Sequence, residues 1–222
     1  MYIIVVGAGT IGSQVIELVT REQNEVVVIE ENPERANAVS RDYDCLVVNA
    51  DATEKETLEQ ASADGADAII ATTEEDAVNI MVLLLARDIG IPSLVSVVQN
   101  PDHMNLFRQL GANVLENPQR LIAEYLVRAV QRPSIKDFMS LGGGAEVFEI
   151  TVTDEGPVAG KTLSEAGEAG LLPDGVLVIA IERDGNIVTP RGDTEIRAGD
   201  LATVFSRDGV TDPVMRQFTG SS

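Results

Sequence analysis

Gly7, Ala8, Gly9, Thr10, Ile11 and Gly12 form a G-x-G-x-x-G directly after the apolar run Tyr2 to Val6 and at the opening of a helical pattern. In that setting the first glycine permits a tight turn and the second lets a pyrophosphate approach the backbone. The third lets helix and strand pack closely, with the phosphate resting on the helix N-terminus. Eighteen residues past Gly12 the second apolar run ends in Glu30, where a dinucleotide fingerprint expects an acid for the ribose hydroxyls. A carboxylate there repels a 2′-phosphate, so NAD(H), ATP or ADP is expected ahead of NADP(H), provided that Glu30 rather than Glu31 faces the ligand. A ligand-free glycine turn and a solvated strand-end acid are the plainer alternatives.

Ligands of such sheets lie outside the carboxyl ends of the strands, so the later loops should complete the site. Asp51, Ala52 and Thr53 follow the third apolar run and frame the adenine in this reading, while Thr72 and Thr73 follow the fourth and meet phosphates. Asn79, one helical turn on, is placed to point back to the same crevice. Taken singly, each reads equally well as a capping or turn residue.

A dehydrogenase also needs an acid or base beside the hydride acceptor, and the chain offers almost none. Its one histidine, His103, follows Asn100, Pro101 and Asp102 at a helix start and reads as an exposed helix residue. No Cys/His/Asp group has metal-ligand spacing and no Gly-x-Ser-x-Gly occurs, so neither catalytic nor metal-binding residues are expected. The single cysteine, Cys45, excludes an internal disulfide and reads as an inert thiol in an apolar run. A nucleotide site without chemistry reads as a sensor. The alternative is an NAD-dependent oxidoreductase whose second domain supplies the missing acid or base.

The elements that must position these residues alternate regularly. Strands are expected at Tyr2 to Val6, Glu25 to Glu30, Cys45 to Asn49, Ala68 to Thr72, Leu94 to Val98 and Asn113 to Glu116. Helical spacing fills Ile11 to Arg21, Pro33 to Arg41, Glu54 to Ala61, Glu75 to Ile89, Pro101 to Leu110 and Pro118 to Val130, with Asn32, Asn100 and Asn117 as N-caps before prolines. Continuous apolar strands joined by helices imply an α/β, Rossmann-like, doubly wound parallel sheet over residues 1–132.

The rhythm breaks at Pro133, and residues 133–145, with Gly142, Gly143 and Gly144, read as a flexible linker able to absorb motion. Residues 146–208 read as a small α+β domain, with strands at Glu146 to Val152, Val176 to Arg183, Asn186 to Thr189 and Leu201 to Ser206, a helix at Lys161 to Ala169, and a hairpin at Asp184 and Gly185. Residues 209–222 read as a frayed tail. Ile80 to Ala86 and Ile135 to Leu141 are the apolar stretches suspected of contact between copies, with core burial the plainer reading of the first.

The chain has 222 residues, of which 44% are apolar, and 36 acids face 16 bases for a formal charge of −20. A surface this acidic repels phosphate backbones, so nucleic acid is a poor candidate partner. The N-terminus has no basic n-region, and the apolar stretches fall far below the roughly 20 residues that span a bilayer, so a soluble, cytoplasmic protein is expected. Only Lys55, Lys136 and Lys161 supply lysine, a depletion that suggests adaptation to high salt, where screening tolerates self-repulsion.

With these residues in place, the chain resembles the family of regulators of potassium conductance (RCK, TrkA-N plus TrkA-C) found in Trk- and Ktr-type potassium uptake systems. The N-terminal resemblance runs through Tyr2 to Gly12, Glu30, Asn49 to Thr53, Ala71 to Asn79 and Asn100 to Pro118. The C-terminal one covers Lys161 to Leu163, Leu177 to Arg183, Pro190, Gly192, Asp193, Gly199 and Asp200. The resemblance implies an N-terminal domain that binds NAD(H) or ATP/ADP through Gly7, Gly9, Gly12, Glu30, Asp51, Thr53 and Thr72, and a C-terminal domain able to take a second small ligand or ion. It further implies a homo-oligomeric, dimer-based ring that gates a membrane-embedded potassium channel subunit from the inner face of the cell membrane. A regulator of another cation transporter is a further alternative. ATP-regulated members often carry an Arg between the second and third glycines and many carry one on the fifth strand, where this chain has Thr10 and Val97, so no preference for ATP over NAD(H) or ADP carries over.

Overall fold

The computed structural model describes residues 1–115 and 117–220, and the chain divides into two compact units, Met1–Glu124 and Tyr125–Ser222. Glu116, predicted as the end of the sixth strand, and the last two residues of the predicted tail lie outside the described residues.

In the first unit, strands β1 Tyr2–Val6, β2 Glu25–Ile29, β3 Leu46–Val48, β4 Ala68–Ala71, β5 Ser93–Val97 and β6 Asn113–Leu115 alternate with helices α1 Thr10–Arg21, α2 Pro33–Asp42, α3 Lys55–Gln60, α4 Asp76–Ile89 and α5 Met104–Gln109. All strands are parallel, in the order β3-β2-β1-β4-β5-β6, so the direction of winding reverses between β1 and β4. The two-residue period of the strands explains why both faces are covered. Ile4, Val6, Val27, Ile29 and Ile69 pack with Leu58, Leu83 and Phe107 on one side, and Ile3, Val5, Val26 and Val28 pack with Ile16 and Val39 on the other. Asn32 and Asn100 accept the amides predicted for N-caps, Asn32 from Glu34 and Arg35 and Asn100 from Asp102, and Asn117 accepts from the Arg120 amide.

Helix α6, Pro118–Gln131, carries the chain across the division between units and buries no described residue. In the second unit, β7 Ile135–Ser140, β8 Glu146–Thr151, β9 Val176–Arg183, β10 Asn186–Val188 and β11 Leu201–Ser206 form an antiparallel sheet in the order β10-β9-β11-β8-β7. Helices α7 Leu163–Glu168 and α8 Asp212–Thr219 complete it. The Asp184–Gly185 turn has φ of 52° and 74°, the paired positive angles of a tight hairpin.

Two expectations are corrected. Residues 133–145 are not a linker, because Ile135–Ser140 is an edge strand whose Ile135, Phe138 and Ser140 pair with Ile150, Phe148 and Glu146. Gly143 and Gly144 take φ of 76° and 88° in the connection that returns β7 to β8, closed by the Leu141 amide on the Ala145 carbonyl at 2.7 Å. The tail from residue 209 is not frayed over its described part, since α8 inserts Val214, Met215 and Phe218 into the core with Phe148, Ile150 and Val204. Of the two apolar stretches suspected at contacts between copies, Ile80 to Ala86 places Val82, Leu83 and Ala86 in the core, its plainer reading, while Met139 and Leu141 of the second are 57 and 40% exposed. A further exposed apolar face lies on α6, where Leu121, Ile122, Tyr125, Leu126 and Val130 are 44 to 82% exposed.

Candidate nucleotide site

A cleft of about 420 Å³ opens at the carboxyl ends of β1 to β4, where the strand order reverses. Its floor is apolar, from Val6, Ile29 and Val78, and its rim is polar. Gly7 leaves β1 with φ of 89° and donates to the Ile29 carbonyl at 2.9 Å, which turns the chain across the sheet end. Gly12 lies beneath that turn, and a Cβ there would stand 2.0 Å from the Gly7 carbonyl oxygen, so the third glycine serves helix-to-strand packing. At Gly9 the nearest atom to such a Cβ is Arg35 Nη1 at 3.8 Å, so a side chain would project into the cleft. Gly9 is also the N-cap of the 12-residue α1 and brings no side-chain acceptor, which leaves the first-turn amides and the positive helix end available to an anion.

Glu30 is 5% exposed and turns inward from the end of β2: Oε2 accepts the Ala8 amide at 2.6 Å and Oε1 accepts the Asn32 amide at 2.8 Å. Glu31 also lines the cleft but is exposed. The Asn49 amide donates to the Glu30 and Glu31 carbonyls at 2.7 and 3.0 Å and fixes this corner. Asp51 and Thr53 line the cleft together with buried Ala52. The backbone amide of Thr53, then its hydroxyl, holds the Asp51 carboxyl below the usual carboxylate range.

Thr72 and Thr73 line the opposite wall. The Thr72 hydroxyl is shared between the Val6 and Gly7 carbonyls at 2.9 and 3.0 Å, so it braces the glycine turn. Asn79 is fully buried and does not line the cleft. Its Oδ1 accepts from the Thr73 amide and hydroxyl at 3.1 and 2.7 Å while Nδ2 donates to the Thr73 carbonyl at 3.1 Å. The expectation that it points into the crevice is corrected: its amide shapes the loop after β4 instead. Thr10, Ile11 and Gly12 do not line the cleft either; they supply the first turn of α1.

Sequence reasoning missed Arg35, Glu74 and Glu75, which line the cleft as well. A signal for Arg35 existed, since the first turn of a helix after the second strand must lie beside the glycine turn after the first. His103 is elsewhere, with Nδ1 2.8 Å from Oδ2 of buried Asp76. Burial pushes the Asp76 carboxyl up, but the amides of Gln99 and Asn100 and the His103 ring outweigh it and leave it lowered. Burial pushes the half-buried Cys45 thiol up, in line with an inert role. Among the described residues no group of His, Cys, Asp and Glu is arranged to hold a metal ion.

A strand-order reversal, a glycine turn with an open approach at Gly9 and an acid at the end of β2 define a Rossmann-like nucleotide-cleft protein, and the residues present fit such a ligand. The chain belongs to the family built from a TrkA-N domain, matched over residues 3–118, followed by a TrkA-C domain, matched over residues 147–218. Two relatives are each named a Trk system potassium uptake protein TrkA homolog. The one from Methanothermobacter thermautotrophicus is 28% identical over 99% of this chain and 100% of its own. The one from Pyrococcus abyssi is 31% identical over 97% of this chain and 96% of its own. Among solved structures, the GsuK channel bound to NAD has the same fold, with a TM-score of 0.66 at 22% identity over 98% of this chain and 39% of that one.

Proposed function

We propose that this chain is a nucleotide-sensing regulatory subunit of a potassium uptake channel of the Trk/Ktr type, and not an enzyme. The observation that carries the reading is the cleft at the β1/β4 reversal, where the open face of Gly9 and the inward carboxylate of Glu30 stand ready for a pyrophosphate and a ribose, in a chain alike over nearly its whole length to proteins named for potassium uptake. NAD(H) or ATP/ADP is the regulatory ligand. The side chains around the cleft support binding without chemistry: among the described residues they include no His, Cys, Lys or Tyr to exchange a proton near neutrality.

The subunit works as a homo-oligomer, a dimer-based ring docked on the cytoplasmic face of its membrane partner. Supporting this, no helix of the described residues is long and apolar enough to cross a membrane, and α6 leaves a stripe of Leu121, Ile122, Tyr125, Leu126 and Val130 uncovered, which suits a second copy of the same helix. A ligand can gate a channel only through different affinities for two conformations, with a coupling on the order of 1–3 kcal/mol per site.

Calorimetric titration with NADH, NAD, ATP and ADP tests binding, and potassium flux through the co-reconstituted channel tests gating. Binding that changes flux is expected. Equal flux with every ligand would sink the regulatory assignment, and consumption of NADH with a carbonyl substrate would make the protein an oxidoreductase. Light scattering should show an oligomer that Leu126→Glu dissociates; a wild-type monomer would rule out the ring.

A further inference from the structure

Arg35 occupies the first turn of α2, exposed, with its backbone amide on Asn32 Oδ1 at 3.1 Å. Its guanidinium forms no hydrogen bond or ion pair among the described residues, although Glu31 and Glu34 stand close in sequence. Nη1 lies 3.8 Å from where a Cβ on Gly9 would stand, so this cation lies near the glycine turn, beside the uncapped N-terminus of α1. It is the only base among the described residues lining the cleft, where the acids are Glu30, Glu31, Asp51, Glu74 and Glu75. The family positions that elsewhere carry arginine do not replace it: Thr10 is uncharged and Val97 is 4% exposed in the core.

We propose that Arg35 is the specificity-determining cation of the cleft, closing over the diphosphate of an NAD-class or ADP ligand seated on the α1 N-terminus. The charge count decides which ligands it accepts. The diphosphate bridge of NAD carries about two negative charges and the terminal diphosphate of ADP about three, and one guanidinium with a helix end worth roughly half a charge answers most of the first and about half of the second. A triphosphate brings further negative charge into a cleft whose remaining ionisable groups are all carboxylates, and like charges in a partly desolvated site repel. The ranking is therefore NAD(H) and ADP ahead of metal-free ATP. The inference rests on the cleft being the nucleotide site.

The test is titration of the full-length protein at fixed ionic strength with NADH, ADP, metal-free ATP, NADPH and adenosine, for the wild type, Arg35→Gln and Arg35→Lys. Wild type should bind NADH and ADP more tightly than ATP. Arg35→Gln should weaken NADH and ADP about tenfold or more, with Arg35→Lys between the two and adenosine unaffected. The ligand-free melting temperature of Arg35→Gln should match wild type, because the side chain is bonded to nothing. Undiminished NADH binding by Arg35→Gln would overturn the role of Arg35 and leave the nucleotide site standing. So would a loss confined to NADPH, which would place Arg35 on a 2′-phosphate, or a drop in the ligand-free melting temperature. ATP as the tightest ligand would overturn the charge ceiling. No binding of any nucleotide by the wild type would overturn the site and this inference together.

Discussion

Glu30 Oε2 accepts a hydrogen bond from the Ala8 amide at 2.6 Å, so the acid expected to receive a ribose also holds the glycine turn that would receive the phosphate. The two halves of the cleft are mechanically one. Glu30→Ala removes the buried acceptor of two backbone amides, each of which costs about 1–3 kcal/mol when left unpaired, so the ligand-free melting temperature should fall. Nucleotide affinity should fall as well, by roughly 1–3 kcal/mol. Differential scanning calorimetry and titration read the two effects separately, and a variant that melts and binds like wild type would show that Glu30 does neither.

Gly9 and Gly12 should fail in opposite ways. Gly12→Ala drives a Cβ to 2.0 Å from the Gly7 carbonyl, against backbone that cannot yield cheaply, and should destabilise the fold by about 3 kcal/mol. Gly9→Val meets only the end of Arg35 and sits at an ordinary φ of −71°, so the protein should fold and lose nucleotide affinity. Chemical denaturation with parallel titration decides the matter; a folded Gly9→Val that binds normally would move the pyrophosphate elsewhere.

Acid should weaken the second unit through Asp200. Burial pushes this carboxyl up, but the bidentate Arg183 guanidinium, both contacts at 2.7 Å, and the Arg197 amide at 2.8 Å outweigh it and leave it below its ordinary range. A carboxylate lowered in the folded state contributes stability that is complete above its unfolded value, roughly pH 4, and is lost as pH falls through the folded value. Asp200→Asn should therefore be less stable than wild type at pH 7, and the gap should close towards pH 3, followed by urea melts in constant molar potassium chloride. A gap independent of pH would remove the ion pair from the stability of this unit.

Salt should raise stability, because 36 acids facing 16 bases repel one another in the folded state and added ions screen them. Melting in low and in molar potassium chloride is the measurement. A melting temperature that stays flat or falls with salt contradicts adaptation to high salt.

The first unit was largely legible because its strands are continuous apolar runs and three of its helical segments open on Asn-Pro pairs, at Asn32, Asn100 and Asn117, that the structure uses as caps. The glycine fingerprint and Glu30 were legible because their spacing is tied to one turn geometry. What sequence alone missed has physical reasons. Strand β7, Ile-Lys-Asp-Phe-Met-Ser, is an edge strand whose register shifts between Ile135 and Asp137, so its apolar residues do not alternate cleanly. Helix α8 is eight residues long and follows a Gly turn, which resembles a chain end until Phe218 is seen in the core. Arg35 belongs to no motif, and only the parallel neighbouring of β1 and β2 brings it over Gly9.

Asn79, which does not line the cleft, is expected to behave in mutagenesis as though it touched what enters it. Its amide both accepts from and donates to Thr73 in a fully buried place, and no other side chain of that size offers both functions. Aspartate would set a charge against the carbonyl of Thr73, and leucine would strand donor and acceptor alike. In a mutational scan scored by nucleotide response, Asn79 should tolerate as few replacements as Gly9, and its neighbour Ile80 many more. Intolerance to substitution in this protein therefore marks the amides that hold the cleft in shape as well as the groups that would touch what enters it.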